Sequence, residues 1–316
     1  MTKVLYLIAS HTNSDQLIRL VRAIKTGRPE SQVVIHHDYS SSNLSSTAFK
    51  QMSSVHILED YVPVVWGEFS QVEMELYCIN WLMTHSVEFD WLIFLSGQDY
   101  PIQPLSQIEQ FLEKTEYDGF MEYFLAKHPP EEPTEYGLRW LKNTGRDRFF
   151  YRYYKLPSPS IVKSVLFRLS YFIHSWQSLI RLVIDRNGLQ IGIRSFSTPF
   201  TPKFQCYAGS NWHTLSSRCI QYIYDFVQRN PAFVKYYQNT INPDESFFQT
   251  IVLNEPKLKI INDNKRYISW TDQCTPAILG CADFENMIRS NNHFARKFDV
   301  KVDAQVLDLL DQHLSI

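Results

Sequence analysis

The chain has 316 residues, 44% hydrophobic and 20% charged, with a formal net charge of -2 at pH 7. That size and apolar content suffice for a sizeable core, and the near-neutral charge excludes a global attraction to nucleic acid. Five cysteines, at 78, 206, 219, 274 and 281, form no C-x-x-C pair, which argues against a disulfide framework or a structural zinc site and for a reducing, cytoplasmic compartment.

Val4–Ala9 is an apolar run too short for a signal peptide or a membrane span, and it reads as a first buried strand. Ser14–Lys25 carries Leu17, Ile18, Val21 and Ile24 at helical spacing, with Gly27 as a stop. Gln32–His37 and Val55–Leu58 read as strands. Ser70 with Glu73 forms a capping-box pattern before a helix that runs to Met83. Trp91–Leu95 is a fourth strand, ending in SGQDYP, and Ser106 with Glu109 repeats the capping pattern. Strand and helix alternating with short links predict an α/β fold with a mostly parallel sheet. In such sheets ligands bind beyond the carboxyl ends of the strands. Here those ends carry Ser10–His11, His37–Asp38 and Ser96–Asp99.

Residues 126–200 differ in character. Between Arg139 and Arg168 there are eight Lys or Arg and one acid, Asp147. The stretch IVKSVLFRLSYFIHSWQSLIRLVIDRNG then shows apolar residues at helical spacing, interspersed with Lys163, Arg168, Arg181 and Arg186. One reading is an amphipathic helix packed on the body. The other is a basic segment, 139–186, in peripheral contact with a membrane surface or an anionic acceptor. The last third reads as a strand pair around KFQCYAGSNWHTLS, a helix over Ser217–Gln228, a strand within KLKIINDNKRYISW and a C-terminal amphipathic helix.

No G-x-G-x-x-G, P-loop, H-E-x-x-H or G-x-S-x-G pattern occurs, so dinucleotide, P-loop, zinc-protease and serine-hydrolase chemistries lose their support. His36, His37 and Asp38 offer ligands for a metal-dependent phosphoesterase, but adjacent residues of a strand face opposite sides. Asp99, at a strand end, either grips a ligand hydroxyl or begins the turn before Pro101. It is not part of a D-x-D pair. In INPDESFFQTIVLN, residues 241–254, Glu245 has two compatible readings. It closes a capping box with Asn242 behind Pro243, or it is a catalytic base at a helix start.

Six segments carry a resemblance: VVIHHDYSS, VVWGEFSQVEMELYCINWL, FDWLIFLSGQDYPI, YAGSNWHTLS, PDESFFQTIVLN and FARKFD, in that order. Together they resemble glycosyltransferase family 14, the core-2/I-branching β-1,6-N-acetylglucosaminyltransferases and peptide xylosyltransferases, in a small bacterial form. The resemblance implies a GT-A-like, Rossmann-type fold and a UDP-sugar donor. It also implies inverting transfer of N-acetylglucosamine, less favourably xylose, to a carbohydrate hydroxyl. Glu245 falls on the family's base and Lys297 on its diphosphate-binding lysine. Asp38, Ser10 and His11 fall near the nucleotide, and Trp66 beside its base or ribose. The family's second diphosphate-binding arginine falls on Cys274 by spacing, with Arg266 the nearest substitute. Without D-x-D the leaving diphosphate needs fixed cations, so no metal cofactor is expected. The expected organisation is one unit, with a nucleotide-sugar half (1–125), a basic insert (126–200) and a catalytic and acceptor half (201–316). A scaffold that binds sugar nucleotide without turnover is the rival from another class.

Overall fold

The computed structural model describes residues 2–128, 144–157, 177–185, 187–271 and 275–315. In chain order the first elements are β1 (Val4–Ser10), α1 (Ser14–Gly27), β2 (Gln32–His37), β3 (Val55–Ile57), α2 (Ser70–Thr84) and β4 (Trp91–Ser96). There follow β5 (Asp99–Pro101), α3 (Leu105–Lys114), β6 (Gly119–Met121) and β7 (Phe124–Leu125). Then come α4 (Thr144–Phe149), β8 (Tyr151–Leu156), β9 (Ile180–Asp185), β10 (Gly188–Arg194), β11 (Tyr207–Ala208) and β12 (His213–Ser216). The last part holds α5 (Ser217–Arg229), α6 (Pro231–Tyr237), α7 (Phe247–Leu253), β13 (Ile260–Asn262), β14 (Arg266–Ile268), α8 (Phe284–Arg289), β15 (Phe294–Arg296) and α9 (Gln305–Leu314).

A seven-stranded sheet in the order β13-β6-β12-β4-β1-β2-β3 forms the centre. All its neighbours are parallel except at β12, which runs antiparallel to β4 and β6. The expected α/β fold with a mostly parallel sheet is what forms. Its central strands β1 and β4 are near-continuous apolar runs because both faces are covered. Val4, Tyr6 and Ile8 of β1 point to one side, onto Leu17, Leu20 and Ile24 of α1 and Leu307 and Leu310 of α9. Leu5 and Leu7 point to the other, onto Val72 and Ile79 of α2, Ile220 and Ile223 of α5, and Phe247 of α7. Each such side chain contributes about 1.5–3 kcal/mol on full burial, so this alternation locks the register of β1.

Three local expectations change. At α2 no side chain caps the helix; the Ser70 hydroxyl instead accepts from the Val65 N–H at 2.9 Å. At α3 Glu109 does not close a box. It is buried, paired with Arg28 at 2.6 Å and accepting from the Ser31 hydroxyl at 2.8 Å, so a tertiary partner displaces the local one. Residues 180–185, expected within an amphipathic helix, are strand β9, paired with β10 in a hairpin in which Gly188, just after Asn187, already pairs with Asp185. Gly188 takes φ +110, which a side chain disfavours. The Asn-Gly signal and the β-branched residues outweigh the helical spacing. The part of that expected helix over 161–176 lies outside the described residues, as do Arg139, Lys142, Arg186 and Cys274.

Candidate active site

The parallel pairing of β1 with β2 and β4 sets Ser10 opposite His37 and Ala9 opposite Ser96, so three strand ends meet at one edge. The Ser10 hydroxyl lies 2.8 Å from His37 Nδ1, and His37 Nε2 lies 2.9 Å from the Ser42 carbonyl. A carbonyl only accepts, so in the neutral ring Nε2 carries the proton and Nδ1 accepts from Ser10. His36 Nε2 accepts from the Val62 N–H at 2.9 Å, and burial pushes its pKa down to about 4. These three ring nitrogens are engaged by protein groups, and among the described residues no cluster of three or more His, Cys, Asp or Glu is arranged to hold a metal ion, so the His36, His37 and Asp38 metal reading gains no support.

Asp38 is buried. One carboxylate oxygen accepts from the Ser40 N–H at 3.0 Å and the Ser40 hydroxyl at 2.6 Å. The other accepts from the Val64 N–H at 3.0 Å and the Ser41 hydroxyl at 3.3 Å. Burial pushes its pKa up, but these donors outweigh burial and leave it below the ordinary carboxylate value. Asp38 therefore pins the 62–66 loop against β2. His11 is at the surface beside it, and burial of its ring holds its pKa below the ordinary value. Trp66, at the end of that loop, is 51% exposed.

The same loop leads to Glu245. The Gly67 carbonyl accepts from the Asn242 N–H at 3.0 Å. The Gly67 N–H donates to Gln71 Oε1, which turns the Gln71 amide so that its Nε2 donates to Asp244 at 3.2 Å. Asn242 sits in the left-handed region at φ 47, and its backbone N–H goes to Gly67 rather than to Glu245. The expected capping box is thus absent. Residues 243–245 form a single 3-10 turn, and α7 starts only at Phe247. The turn points the two acids apart. Asp244 is 8% exposed, and burial, with the Glu245 charge beside it, raises its pKa strongly. Glu245 is half-buried, receives the Asn242 side-chain amide at 3.4 Å and is ion-paired with Arg148 of α4. Beneath them the buried Glu75 of α2 meets His213 Nε2 at 3.0 Å.

The other side of the site is built by Gln16, 1% exposed. Its amide donates to the carbonyls of Gly97 and Phe298 at 3.1 and 2.9 Å, and its oxygen accepts from the Val300 N–H at 3.0 Å. Those bonds carry Lys297 to the carboxyl end of β4. Lys297 is half-buried, and among the described residues its ammonium has no ion-pair partner. Its neighbour Arg296 stacks 3.9 Å over the Trp212 ring and faces Asp99 at 3.6 Å. Trp212 in turn stacks on Phe94 of β4.

Two sequence-derived residues take other work. Asp99 is fully buried, accepting from the Ser96 N–H at 2.7 Å and from the Ser96 hydroxyl. It is the first residue of β5 and closes the tight turn at Gly97–Gln98, so the turn that the sequence suggested it would begin before Pro101 is not formed. Arg266 is 1% exposed and donates to the Phe94, Asn264 and Lys265 carbonyls at 3.0, 3.2 and 3.3 Å. Burial lowers its pKa to about 10. It ties β14 to β4 and is not placed to meet a diphosphate. Arg148, Gln16, Gln71 and Trp212 were not assigned from sequence. Gln71 and Trp212 lay in quoted motifs, whereas Arg148 and Gln16 act through partners far away in the chain.

The sequence model of the Core-2/I-Branching enzyme family matches residues 4–160 and 171–288. The chain belongs to this family. A β-1,3-galactosyl-O-glycosyl-glycoprotein β-1,6-N-acetylglucosaminyltransferase 4 of Danio rerio is 22% identical over 98% of this chain and 69% of its own length. Xylosyltransferase 2 of Rattus norvegicus is 24% identical over 99% of this chain and 34% of its own. The β-glucuronosyltransferase GlcAT14A of Arabidopsis thaliana is 24% identical over 98% and 63%. The chain thus spans a third to just over two thirds of these relatives' lengths. Within this Core-2/I-Branching chain the unmatched residues 161–170 fall in the basic insert, and Lys297 follows the matched span.

Proposed function

We propose that this chain is a UDP-sugar-dependent inverting glycosyltransferase that moves N-acetylglucosamine to a carbohydrate hydroxyl, forming a β-1,6 branch, without a metal cofactor. One observation carries the reading: the P-D-E turn buries Asp244 on Gln71 and leaves Glu245 partly exposed. Hydrolases that cleave glycosides need two carboxyl groups flanking the bond, whereas inverting transfer needs one base. In this scheme Glu245 takes the proton of the acceptor hydroxyl as its oxygen attacks the anomeric carbon. The bond from that carbon to the diphosphate breaks, and UDP leaves with the electron pair. The ammonium of Lys297 stabilises the departing charge, and the exposed Trp66 offers a face for the base or ribose.

Relatives named for N-acetylglucosaminyl, xylosyl and glucuronosyl transfer share the chain's length equally well, so the donor is the point to test. UDP release from UDP-N-acetylglucosamine, UDP-xylose and UDP-glucuronic acid, each with a glycan acceptor, separates them. Preference for UDP-N-acetylglucosamine is expected. Turnover of UDP-glucuronic acid alone would overturn the donor assignment, and no turnover of any donor would favour the scaffold.

A further inference from the structure

The three-stranded sheet β8-β10-β9 has one face packed and the other exposed toward its Ile180–Ile193 end and along β8, with Leu189 of that second face buried. Tyr151, Tyr153 and Arg181 point inward and are buried. Strand alternation sends Tyr154 and Leu156 of β8, Ile193 of β10 and Ile180 of β9 to the opposite face, and all four are exposed. Ile193 stands directly across from Ile180 in the register. Leu179, 50% exposed, and Phe196, 83% exposed, extend the strip at the same end. The Arg194 guanidinium lies 5.9 Å from the Phe196 ring. An exposed apolar strip of this kind marks a contact surface.

The charge around it decides the partner. Among the described residues from 144 to 196, Arg148, Lys155 and Arg181 are ion-paired with Glu245, Glu68 and Asp147, which leaves Arg146, Arg152 directly across from Ile193, and Arg194 beside Phe196 as cations without an ion-paired acid. A second copy of the chain, docked through the same patch by a two-fold axis, would set this positive surface against itself. An anionic lipid surface complements it, accepting the aromatic and aliphatic side chains among its headgroups while the cations meet the phosphates. We infer that the open face of β8-β10-β9, centred on Ile193 and Phe196, docks on an anionic membrane surface.

The docking would hold the active site at the lipid boundary. Asn187, in the β9-β10 turn, donates to the Trp66 carbonyl at 2.9 Å, and Lys155 of β8 pairs with Glu68 at 2.6 Å. The sheet is therefore fastened to the loop that leads to Glu245. The inference does not depend on the sugar transferred.

The test is sedimentation of the full chain with vesicles of phosphatidylcholine alone or mixed with phosphatidylglycerol, across a salt series. Binding to the anionic vesicles only, released as salt screens the charges, is expected. Phe196→Glu and Leu179→Glu should each weaken it at least about tenfold while leaving the circular dichroism spectrum and UDP release in solution unchanged. Because Phe196 is so exposed, its replacement reads the surface and not the fold. No binding at low salt, equal binding to both vesicles, or undiminished binding by both variants would overturn the inference. So would a dimer in light scattering that Phe196→Glu dissociates, since the face would then belong to a second copy.

Discussion

Arg148 of α4 is ion-paired to Glu245, which joins the basic insert to the turn carrying the proposed base. The pair spans nearly a hundred residues of sequence. It places the insert at the site itself, beside the carboxylate that would face the acceptor.

Glu245→Gln keeps the shape of the side chain but cannot accept a proton. Transfer at saturating donor should fall at least about a hundredfold, the lower bound for removal of a general base. The variant should stay folded and still bind UDP, since no capping box depends on Glu245. Near-normal transfer would move the search for a base elsewhere.

Asp244→Asn should be much milder for transfer and should stabilise the fold at alkaline pH. The folded-state pKa of Asp244 is raised, so between the ordinary carboxylate value and that raised value the native state holds the extra proton. Stability is then lost as pH rises through the window. Asn cannot ionise and escapes that loss. Melting curves of both proteins from the ordinary carboxylate range up to about pH 8 measure it, and parallel curves across that range would contradict the buried-acid assignment.

Lys297→Ala should weaken UDP binding by about tenfold to a hundredfold, the range of a charge-assisted hydrogen bond. Arg266→Gln should behave oppositely. It leaves buried carbonyls unsatisfied and should cost about 1–3 kcal/mol of stability, with UDP affinity of the folded fraction unchanged. A UDP titration beside a melting curve separates the two, and a UDP defect without destabilisation in Arg266→Gln would restore it to the diphosphate site.

Transfer should persist in excess EDTA, because no D-x-D pair is available and Lys297 supplies a fixed cation. Loss of activity that manganese or magnesium restores would reassign the diphosphate to a metal.

Acid should destabilise the fold partly through His36. Its pKa is lowered to about 4 by burial, so the unfolded chain binds the extra proton first. The contribution is present above the ordinary histidine value and is lost as pH falls toward 4, amounting to about 3 kcal/mol at most. His36→Gln keeps an acceptor for the Val62 N–H and should flatten the decline in melting temperature over that range. An unchanged slope would show that His36 contributes nothing to it.

The order of strands β1 to β4 and helices α1 to α3 was legible because each carries its own period, with continuous apolar runs for doubly covered strands and a repeat near 3.6 for the helices, whereas the short β5, β6 and β7 were not read. Glu245 and Lys297 were legible as motif positions. What the sequence did not disclose depends on partners distant in the chain. Glu109 binds Arg28 and Ser31 rather than its own helix end, and Asn242 gives its N–H to Gly67. Arg266 was a cation available to a ligand by sequence, but the fold buries it under three carbonyls. Residues 180–185 fit a helical period until pairing with β10 made them a strand. Local sequence sets which conformations are cheap; burial and long-range pairing decide which polar groups remain to meet a ligand, because a buried polar group takes whatever partner the packed fold offers.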